Sequence, residues 1–177
     1  MIGQAVQEPE TGAAKYARIE LERRWLVDPA RRPVLDGRPN TLIEDRYIHG
    51  TRMRLRRMSR PDLGEIKWKL TKKYECKEAR ARPIVTVYLT EAEYDLYRRL
   101  PADELVKRRY HLQVDGRWWS VDLFEDLLAG LELAECEAPD RTILNALVPP
   151  DWALREITDL PQWQGGALAR AHMIPEE

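Results

Sequence analysis

The chain has 177 residues, which is enough for one domain with a substantial hydrophobic core. Its 29 lysines and arginines nearly balance its 30 aspartates and glutamates, so the net charge of -1 indicates neither nucleic acid nor a membrane surface as a partner. No apolar run is long enough to cross a membrane, and residues 1–14 lack the apolar core of a signal peptide, which predicts a cytoplasmic protein. Cys76 and Cys136 have the spacing of neither a zinc site nor a disulfide scaffold.

Alternating apolar and polar residues predict a chain built mainly of strands. Residues 1–14 are small and polar, so we expect a flexible lead-in, followed by one domain at residues 15–177. The predicted strands, in chain order, cover residues 16–27, 42–48, 52–58, 65–70, 83–89, 107–114, 117–124 and 131–138.

Turn and capping signals separate these strands. Asp115-Gly116 predicts a tight hairpin turn and therefore antiparallel pairing of the two strands beside it. The capping box Thr90-Glu91-Ala92-Glu93 predicts a helix over residues 91–99, and a short helix is predicted after Asp140. Beyond Pro149-Pro150 we expect helical or irregular structure. These elements predict an α+β fold, a closed eight-stranded antiparallel β-barrel with flanking helices.

Most of the predicted strands carry charge on one face and apolar side chains on the other, because side chains alternate along a strand. In the first strand, Glu20, Glu22 and Arg24 share the charged face. The later strands continue this pattern with Arg52, Arg54 and Arg56, with Lys67 and Lys69, with Lys107 and Arg109, with Ser120 and Asp122, and with Glu135 and Glu137.

Two interpretations of these charged faces are open. They form a solvated outer surface, as is common in antiparallel sheets, or they line the inside of the barrel. The distribution of sign favours the inside, because a solvated face usually mixes both signs, whereas here bases and acids gather on different strands. Asp122 is either an acid of the interior, which we favour, or a partner of Arg109 across the hairpin.

An interior of this kind suits a metal ion together with a polyphosphate. Magnesium and manganese prefer carboxylate oxygens, with phosphate oxygens and water completing the coordination sphere. Guanidinium groups bind phosphate through two parallel hydrogen bonds, and lysines add point charges. The sequence contains no glycine-rich phosphate-binding loop, so side chains must bind the phosphates. The pattern therefore predicts a metal- and phosphate-binding tunnel.

The order of these segments resembles that of the CYTH superfamily, the triphosphate tunnel metalloenzymes. Glu20-Leu21-Glu22-Arg23-Arg24 is similar to the family's ExExK signature. The later segments follow in the family's order as Arg54-Leu55-Arg56, Lys69, Lys107-Arg108-Arg109-Tyr110, Val121-Asp122-Leu123-Phe124 and Glu135-Cys136-Glu137.

The resemblance implies a barrel that binds a triphosphate-containing small molecule together with Mg²⁺ or Mn²⁺. By the family pattern the metal ligands would be Glu20, Glu22, Asp122, Glu135 and Glu137. The phosphates would be held by Arg54, Arg56, Lys69, Lys107 and Arg109, and the catalytic residues would be Glu22 and Arg24. We expect no nucleic-acid or membrane partner, and a monomer or a homodimer.

Two departures from the family pattern keep two functions open. Arg24 stands where the signature has a lysine that is thought to orient the attacking water, and an arginine cannot serve as a base in a protein. The strand at residues 83–89 lacks the acidic pair that is common in the family, and Arg82 precedes it. We favour a metal-dependent triphosphate hydrolase over a triphosphate- or polyphosphate-binding module with little turnover.

Overall fold

The computed structural model describes residues 15–176, so the predicted lead-in at residues 1–14 lies outside the described residues. Nine strands lie within these described residues, and we number them β1 (Arg18–Val27), β2 (Thr41–Ile48), β3 (Met53–Arg60), β4 (Glu65–Lys73), β5 (Ala81–Leu89), β6 (Ala102–Val114), β7 (Arg117–Phe124), β8 (Glu132–Glu137) and β9 (Ala153–Glu156). The α-helices are α1 (Glu91–Tyr97), α2 (Arg141–Asn145) and α3 (Gly165–Ala171).

Strands β1 to β8 form a closed antiparallel barrel, which confirms the predicted fold. The strand order is β5-β4-β3-β2-β6-β7-β8-β1, and a further pairing between β1 and β5 closes the ring. Closure leaves few backbone hydrogen-bonding groups at open sheet edges and encloses an interior that eight strands can line together.

The predicted turn and caps are also confirmed. Asp115 and Gly116 both have positive φ, as a two-residue hairpin turn between β6 and β7 requires. The Thr90 hydroxyl accepts a hydrogen bond from the Glu93 amide, and the Glu93 carboxylate accepts one from the Thr90 amide. Asp140 caps α2 in a similar way, by accepting a hydrogen bond from the amide of Ile143.

One prediction for the C-terminal part was wrong. Residues 153–156, expected to be helical or irregular, form β9, which pairs with the end of β1 opposite Trp25, Leu26 and Val27. Four residues are too few for a clear alternation signal, and the free edge of β1 beyond β5 supplies the hydrogen-bonding partner. Local sequence alone does not contain that information.

The apolar strand faces point out of the barrel and are covered by connecting segments. Trp25 and Trp119 lie with ring centroids 5.1 Å apart, and Trp152 packs edge-on against Trp119 at 5.8 Å. Leu35 and Leu147, from the segments before β2 and after α2, belong to the same buried cluster. Packing outside the barrel therefore leaves the opposite, charged faces pointing inward.

A second apolar cluster fixes the C-terminal segment against the barrel. Trp163, Leu168 and Ala169 are buried together with Leu105 of β6 and Phe124 of β7. This contact positions α3 beside the interior. Within residues 15–176, no helix is both long enough and apolar enough to cross a membrane.

Candidate functional site

The interior of the barrel holds a cavity of about 920 Å³, and basic side chains outnumber acidic ones along its wall. The structure brings together nine of the predicted site residues there, namely Glu20, Glu22, Arg24, Arg54, Arg56, Lys107, Arg109, Glu135 and Glu137. The charged faces therefore point inward, as predicted, and are not a solvated outer surface.

Three carboxylates form a cluster in this cavity. Oxygen atoms of Glu20, Glu22 and Glu137 all lie within 4.8 Å of one another. Glu22 and Glu137 are direct neighbours across the pairing of β1 with β8, which places their side chains on the same face. Burial, together with the nearby Glu135 carboxylate, raises the pKa of Glu22. A divalent cation would offset this repulsion, and three carboxylate oxygens suit a hard cation such as magnesium or manganese.

Lys73, which the sequence analysis did not select, lies beside this cluster. Its ammonium group is 2.9 Å from a carboxylate oxygen of Glu20. Although burial favours the neutral acid, the charge of Lys73 lowers the pKa of Glu20. The strand was predicted to end at residue 70, but alternation from Lys69 through Thr71 to Lys73 continues along β4 and was the available signal.

A second set of charges, which we call the floor of the cavity, comprises the acids Asp45 and Asp122 and the bases Arg54, Arg56, Lys107 and Arg109. Each of these acids is paired with two of the bases. Asp45 of β2 is 1% exposed and accepts two hydrogen bonds from Arg56, at 2.6 and 2.7 Å. Arg54 lies 3.6 Å from the same carboxylate and also hydrogen-bonds the hydroxyl of Tyr47. Burial alone would raise the pKa of Asp45, but Arg56 and Arg54 outweigh it and hold that pKa well below its usual range.

Sequence analysis missed both Asp45 and Tyr47. They alternate with Glu44 and Arg46 on β2, so parity along the strand was an available signal. Charge on both faces of β2 obscured which face points inward. The register with β3 resolves it, because Asp45 lies opposite Arg56 and Tyr47 opposite Arg54.

Asp122 pairs with bases and is not among the residues that line the cavity. It is completely buried and accepts hydrogen bonds from Arg109, both at 2.6 Å, and from the ammonium group of Lys107. Its partner is thus Arg109 across the hairpin, the alternative that the sequence left open, and Lys107 joins the pair. Burial lowers the pKa of Lys107 despite this partner.

Glu135 connects the floor with the carboxylate cluster. It lies 2.5 Å from Arg109 and 3.1 Å from Arg24. Burial alone would raise the pKa of Glu135, but Arg109 and Lys107 hold it well below the usual range. Glu135 is therefore held ionised by protein cations, whereas the pKa of Glu22 on β1 is raised, because burial and the carboxylates of Glu135 and Glu20 outweigh the nearby cations.

Arg24 is fixed from two sides and is only 5% exposed. Its guanidinium group contacts Glu135 and donates a hydrogen bond of 3.0 Å to the backbone carbonyl of Trp163. Burial opposes the charged form, but the Glu135 and Glu22 carboxylates raise the pKa of Arg24. The side chain is thus a permanent positive charge held at the wall of the cavity.

Lys69 is the one predicted phosphate-binding residue that does not line the cavity. It lies opposite Arg56 in the register of β3 and β4, but its ammonium group sits over the ring of Tyr88, 5.1 Å from the ring centre. Parity along β4 correctly gave the face of this side chain. It did not give the position of the side chain along the barrel axis. Lys73, and not Lys69, lies at the height of the cavity.

The start of α3 closes one side of the cavity. Gln164, Gly165 and Gly166 line it, and Gly165 packs directly against the ring of Tyr47. A Cβ atom at position 165 would lie 2.1 Å from the Tyr47 hydroxyl oxygen, so only glycine permits this approach.

Comparison with known proteins gives a consistent picture of the fold. No model of a known protein family matches the chain. An inorganic triphosphatase from Acetivibrio thermocellus is 40% identical over 65 residues, a segment that covers 36% of this chain and 40% of that protein. The chain thus spans less than half the length of this curated relative in the alignment.

Two solved structures share the architecture over most of both chains. The inorganic triphosphatase NE1496 superposes with a TM-score of 0.57 at 23% identity, covering 89% of this chain and 97% of that one. The HpAC1 protein from Hippeastrum, described as having a dominant triphosphatase activity, superposes with a TM-score of 0.51 at 11% identity, covering 88% and 97%. With its closed barrel and its inward charges, the chain therefore shares the tunnel-barrel fold of these two proteins.

Proposed function

We propose that this protein is a metal-dependent hydrolase of a triphosphate substrate, with inorganic triphosphate as the simplest one. The observation that carries the proposal is the cluster of Glu20, Glu22 and Glu137 in a cavity whose remaining wall is predominantly basic. A triphosphate with a divalent cation combines both charges that such a site requires. The Acetivibrio relative, named an inorganic triphosphatase, supports the same substrate class.

Glu20, Glu22 and Glu137 are the residues that would hold Mg²⁺ or Mn²⁺. The ion, when bound, would neutralise phosphate charge and polarise the phosphorus atom under attack. Glu135 and Asp122, also predicted as ligands, are engaged by protein cations. We assign them the role of holding Arg24, Arg109 and Lys107 in place.

The floor of the cavity would bind the phosphates. Arg54, Arg56, Lys107 and Arg109 each point into the cavity and are held by Asp45 or Asp122. These pairs fix the side chains before substrate arrives, which lowers the conformational entropy lost on binding. Lys69 keeps only the peripheral role that its position over Tyr88 allows.

The reaction we propose is the in-line attack of a water molecule on a terminal phosphoryl group. Arg24 is fixed by Glu135 and by the Trp163 carbonyl, and it would stabilise the negative charge that develops on the phosphoryl oxygens. Because arginine does not give up its proton, Arg24 orients and stabilises but does not deprotonate the water. Glu22 is the carboxylate whose loss we expect to stop the reaction.

A second function is favoured by Arg24 and Arg82, which stand where the family has a lysine and an acid. Arg24 keeps the positive charge of a lysine but cannot act as a base, and Arg82 places a positive charge on the cavity wall near where acids are common in the family. They support a module that binds a triphosphate or polyphosphate with little turnover. The cytoplasmic location and the monomeric or dimeric state stay predictions under either function.

One experiment separates the two functions. Phosphate release would be measured from inorganic triphosphate, ATP and thiamine triphosphate with Mg²⁺ or Mn²⁺, for the wild type and for Glu20→Ala/Glu22→Ala. The matched control is Glu91→Ala, which changes an exposed acid of α1. Metal-dependent release that only the double variant loses supports the hydrolase. Absent release, with triphosphate still raising the melting temperature, supports the binding module.

A further inference from the structure

The segment that follows β9 holds the backbone of Arg24. This residue is only 5% exposed, so its backbone groups need partners within the protein. On one side of β1, the register places Arg24 opposite Glu135 of β8. On the other side the pairing with β5 ends at Leu21 and the pairing with β9 begins at Trp25, so neither of these strands pairs with Arg24.

Residues 157–158 supply the partners that these strands do not. The amide of Ile157 donates a hydrogen bond of 2.8 Å to the Arg24 carbonyl. The Arg24 amide donates one of 3.0 Å to the hydroxyl of Thr158. A side-chain hydroxyl thus takes the place that a backbone carbonyl of a neighbouring strand has in a regular sheet.

Glu156 fixes the direction of the Thr158 hydroxyl. The hydroxyl donates a hydrogen bond of 2.8 Å to the Glu156 carboxylate, and an ionised carboxylate can only accept. Arg23 donates two hydrogen bonds to Glu156, at 2.9 and 2.6 Å, and thereby holds the pKa of Glu156 below its ordinary value. The other acceptor in reach, the Arg24 carbonyl, is farther away at 3.5 Å. With its proton directed to Glu156, the Thr158 oxygen presents its lone pairs to the Arg24 amide.

Thr158 also fixes the turn that contacts the Arg24 side chain. The Thr158 carbonyl accepts a hydrogen bond of 3.1 Å from the Gln164 carboxamide, which ties the two ends of the turn at Pro161–Trp163 together. Within this turn, the Trp163 carbonyl accepts the 3.0 Å hydrogen bond from the Arg24 guanidinium group. Thr158 is 2% exposed and does not line the cavity, so its effect on a bound ligand must pass through other residues.

We propose that Thr158 is a positioning residue for the guanidinium group of Arg24. Its hydroxyl fixes the backbone from which this side chain extends. Its carbonyl fixes, through Gln164, the turn that accepts the hydrogen bond of the guanidinium group. The inference rests on the proposed function, in which Arg24 stabilises charge that develops in the transition state. A displaced Arg24 therefore slows the reaction more than it weakens triphosphate binding.

The test compares Thr158→Val, which loses the hydroxyl, with Thr158→Ser, which keeps it. Phosphate release from inorganic triphosphate with Mg²⁺ gives kcat and KM for each variant, and thermal unfolding gives the melting temperature. The matched control is Thr71→Val, which removes the hydroxyl of another buried threonine whose side-chain partner is Thr86.

Thr158→Val is expected to lower kcat roughly tenfold with a much smaller change in KM, because Arg24 is displaced but keeps its charge. Thr158→Ser should keep a kcat close to that of the wild type, even though the loss of a buried methyl group lowers its melting temperature. Thr71→Val should also lower the melting temperature and yet retain kcat. A loss of stability alone would not produce this pattern.

Combination with Arg24→Gln shows whether Thr158 acts through Arg24. In that background, measured in single turnover at high enzyme concentration, Thr158→Val is expected to cause no further loss of rate, since no guanidinium group remains to be positioned. A further loss there, an unchanged kcat in Thr158→Val, or equal losses in the valine and serine variants overturns the inference and leaves the proposed hydrolase in place. A wild type that releases no phosphate from triphosphate contradicts the proposed function and the inference together.

Discussion

The two halves of the charged interior are organised differently. On the floor, Asp45 and Asp122 are each surrounded by two bases at ion-pair distance. In the carboxylate cluster, Lys73 contacts Glu20, while Glu22 and Glu137 have no ion-pair partner within the part of the chain that the structure describes. One half is thus compensated by the protein, and the other is not.

This difference indicates that the floor contributes to the stability of the fold, and that the carboxylate cluster is arranged for a ligand. A buried charge is tolerated when another charge and hydrogen bonds compensate it, and the floor meets this condition without a ligand. The cluster does not, as the raised pKa of Glu22 shows. We therefore expect substitutions on the floor to reduce stability first, and substitutions in the cluster to reduce metal dependence first.

The largest expected effect on stability is that of Asp45→Asn. The variant leaves Arg54 and Arg56 buried without their carboxylate, and breaking a buried pair costs roughly 3–5 kcal/mol. We expect the free energy of unfolding, measured with urea, to fall by about this amount. Asp62→Asn is the control, because its pair with Arg60 is exposed and exposed pairs contribute little to stability. Similar losses in both variants would contradict the structural role of the floor.

The next largest expected effect distinguishes the roles of Glu137 and Glu135, which lie on the same face of β8. Glu137→Gln should reduce metal-dependent phosphate release by roughly two orders of magnitude with little change in melting temperature, because a proposed ligand is lost. Glu135→Gln should lower the melting temperature, because Arg24 and Arg109 lose their shared carboxylate. The melting temperature of each variant would be measured with and without Mg²⁺. If Glu137→Gln keeps the full stabilisation by Mg²⁺, Glu137 is not a ligand.

Acidification provides a smaller, graded test of the floor. The pKa of Asp45 lies below its usual range in the folded protein, so its contribution to stability is complete above about pH 4 and is lost as the pH falls toward the folded pKa. The slope that one such group adds is at most about 1.4 kcal/mol per pH unit. Urea unfolding between about pH 6 and pH 2.5 should show this slope in the wild type and a shallower one in Asp45→Asn. An unchanged slope would mean that Asp45 is not held ionised.

The sequence predicted the barrel and most of the site because both depend on strand parity. In β1, alternation placed Glu20, Glu22 and Arg24 on the face that lines the cavity. Parity does not give the height of a residue along the barrel axis. For this reason Lys69 was predicted to bind phosphate, although Lys73 is the lysine of β4 that lines the cavity. This height depends on the shear of the closed sheet, which is a property of all eight strands together.

Other parts of the site depend on contacts between distant segments. The pairing of Asp45 with Arg56 follows from the register of β2 with β3, and the hydrogen bond from Arg24 to Trp163 joins residues 139 positions apart. Strand β9 forms only because β1 leaves an edge for it. The secondary-structure propensities of a segment contain no information on its contacts with distant segments. These contacts could therefore not be predicted from one sequence.

The smallest expected effect concerns the contact between α3 and the floor. Gly165→Ala would place a Cβ atom 2.1 Å from the Tyr47 hydroxyl oxygen, so this hydroxyl, which interacts with Arg54, must shift. Overpacking costs roughly 1–3 kcal/mol, and alanine in a helix returns up to about 1 kcal/mol, so we expect a net loss of about 1 kcal/mol in unfolding free energy. Because Arg54 loses its hydrogen bond, KM for triphosphate should rise more than kcat falls.

A double-mutant cycle isolates this contact from a general loss of folding. In Tyr47→Phe/Gly165→Ala the clashing oxygen is absent, and the nearest remaining atom, the Tyr47 ring carbon Cζ, would be 3.1 Å from the new Cβ. The double variant should therefore regain much of the stability that Gly165→Ala loses, while its KM stays high because Arg54 still lacks the hydroxyl. Gly166→Ala is the matched control, since its Cβ would come no closer than 3.2 Å to Tyr47, at the ring carbon Cδ1. Strictly additive stability changes would show that the hydroxyl is not what position 165 must accommodate, and that α3 and the phosphate-binding floor are not coupled through Tyr47.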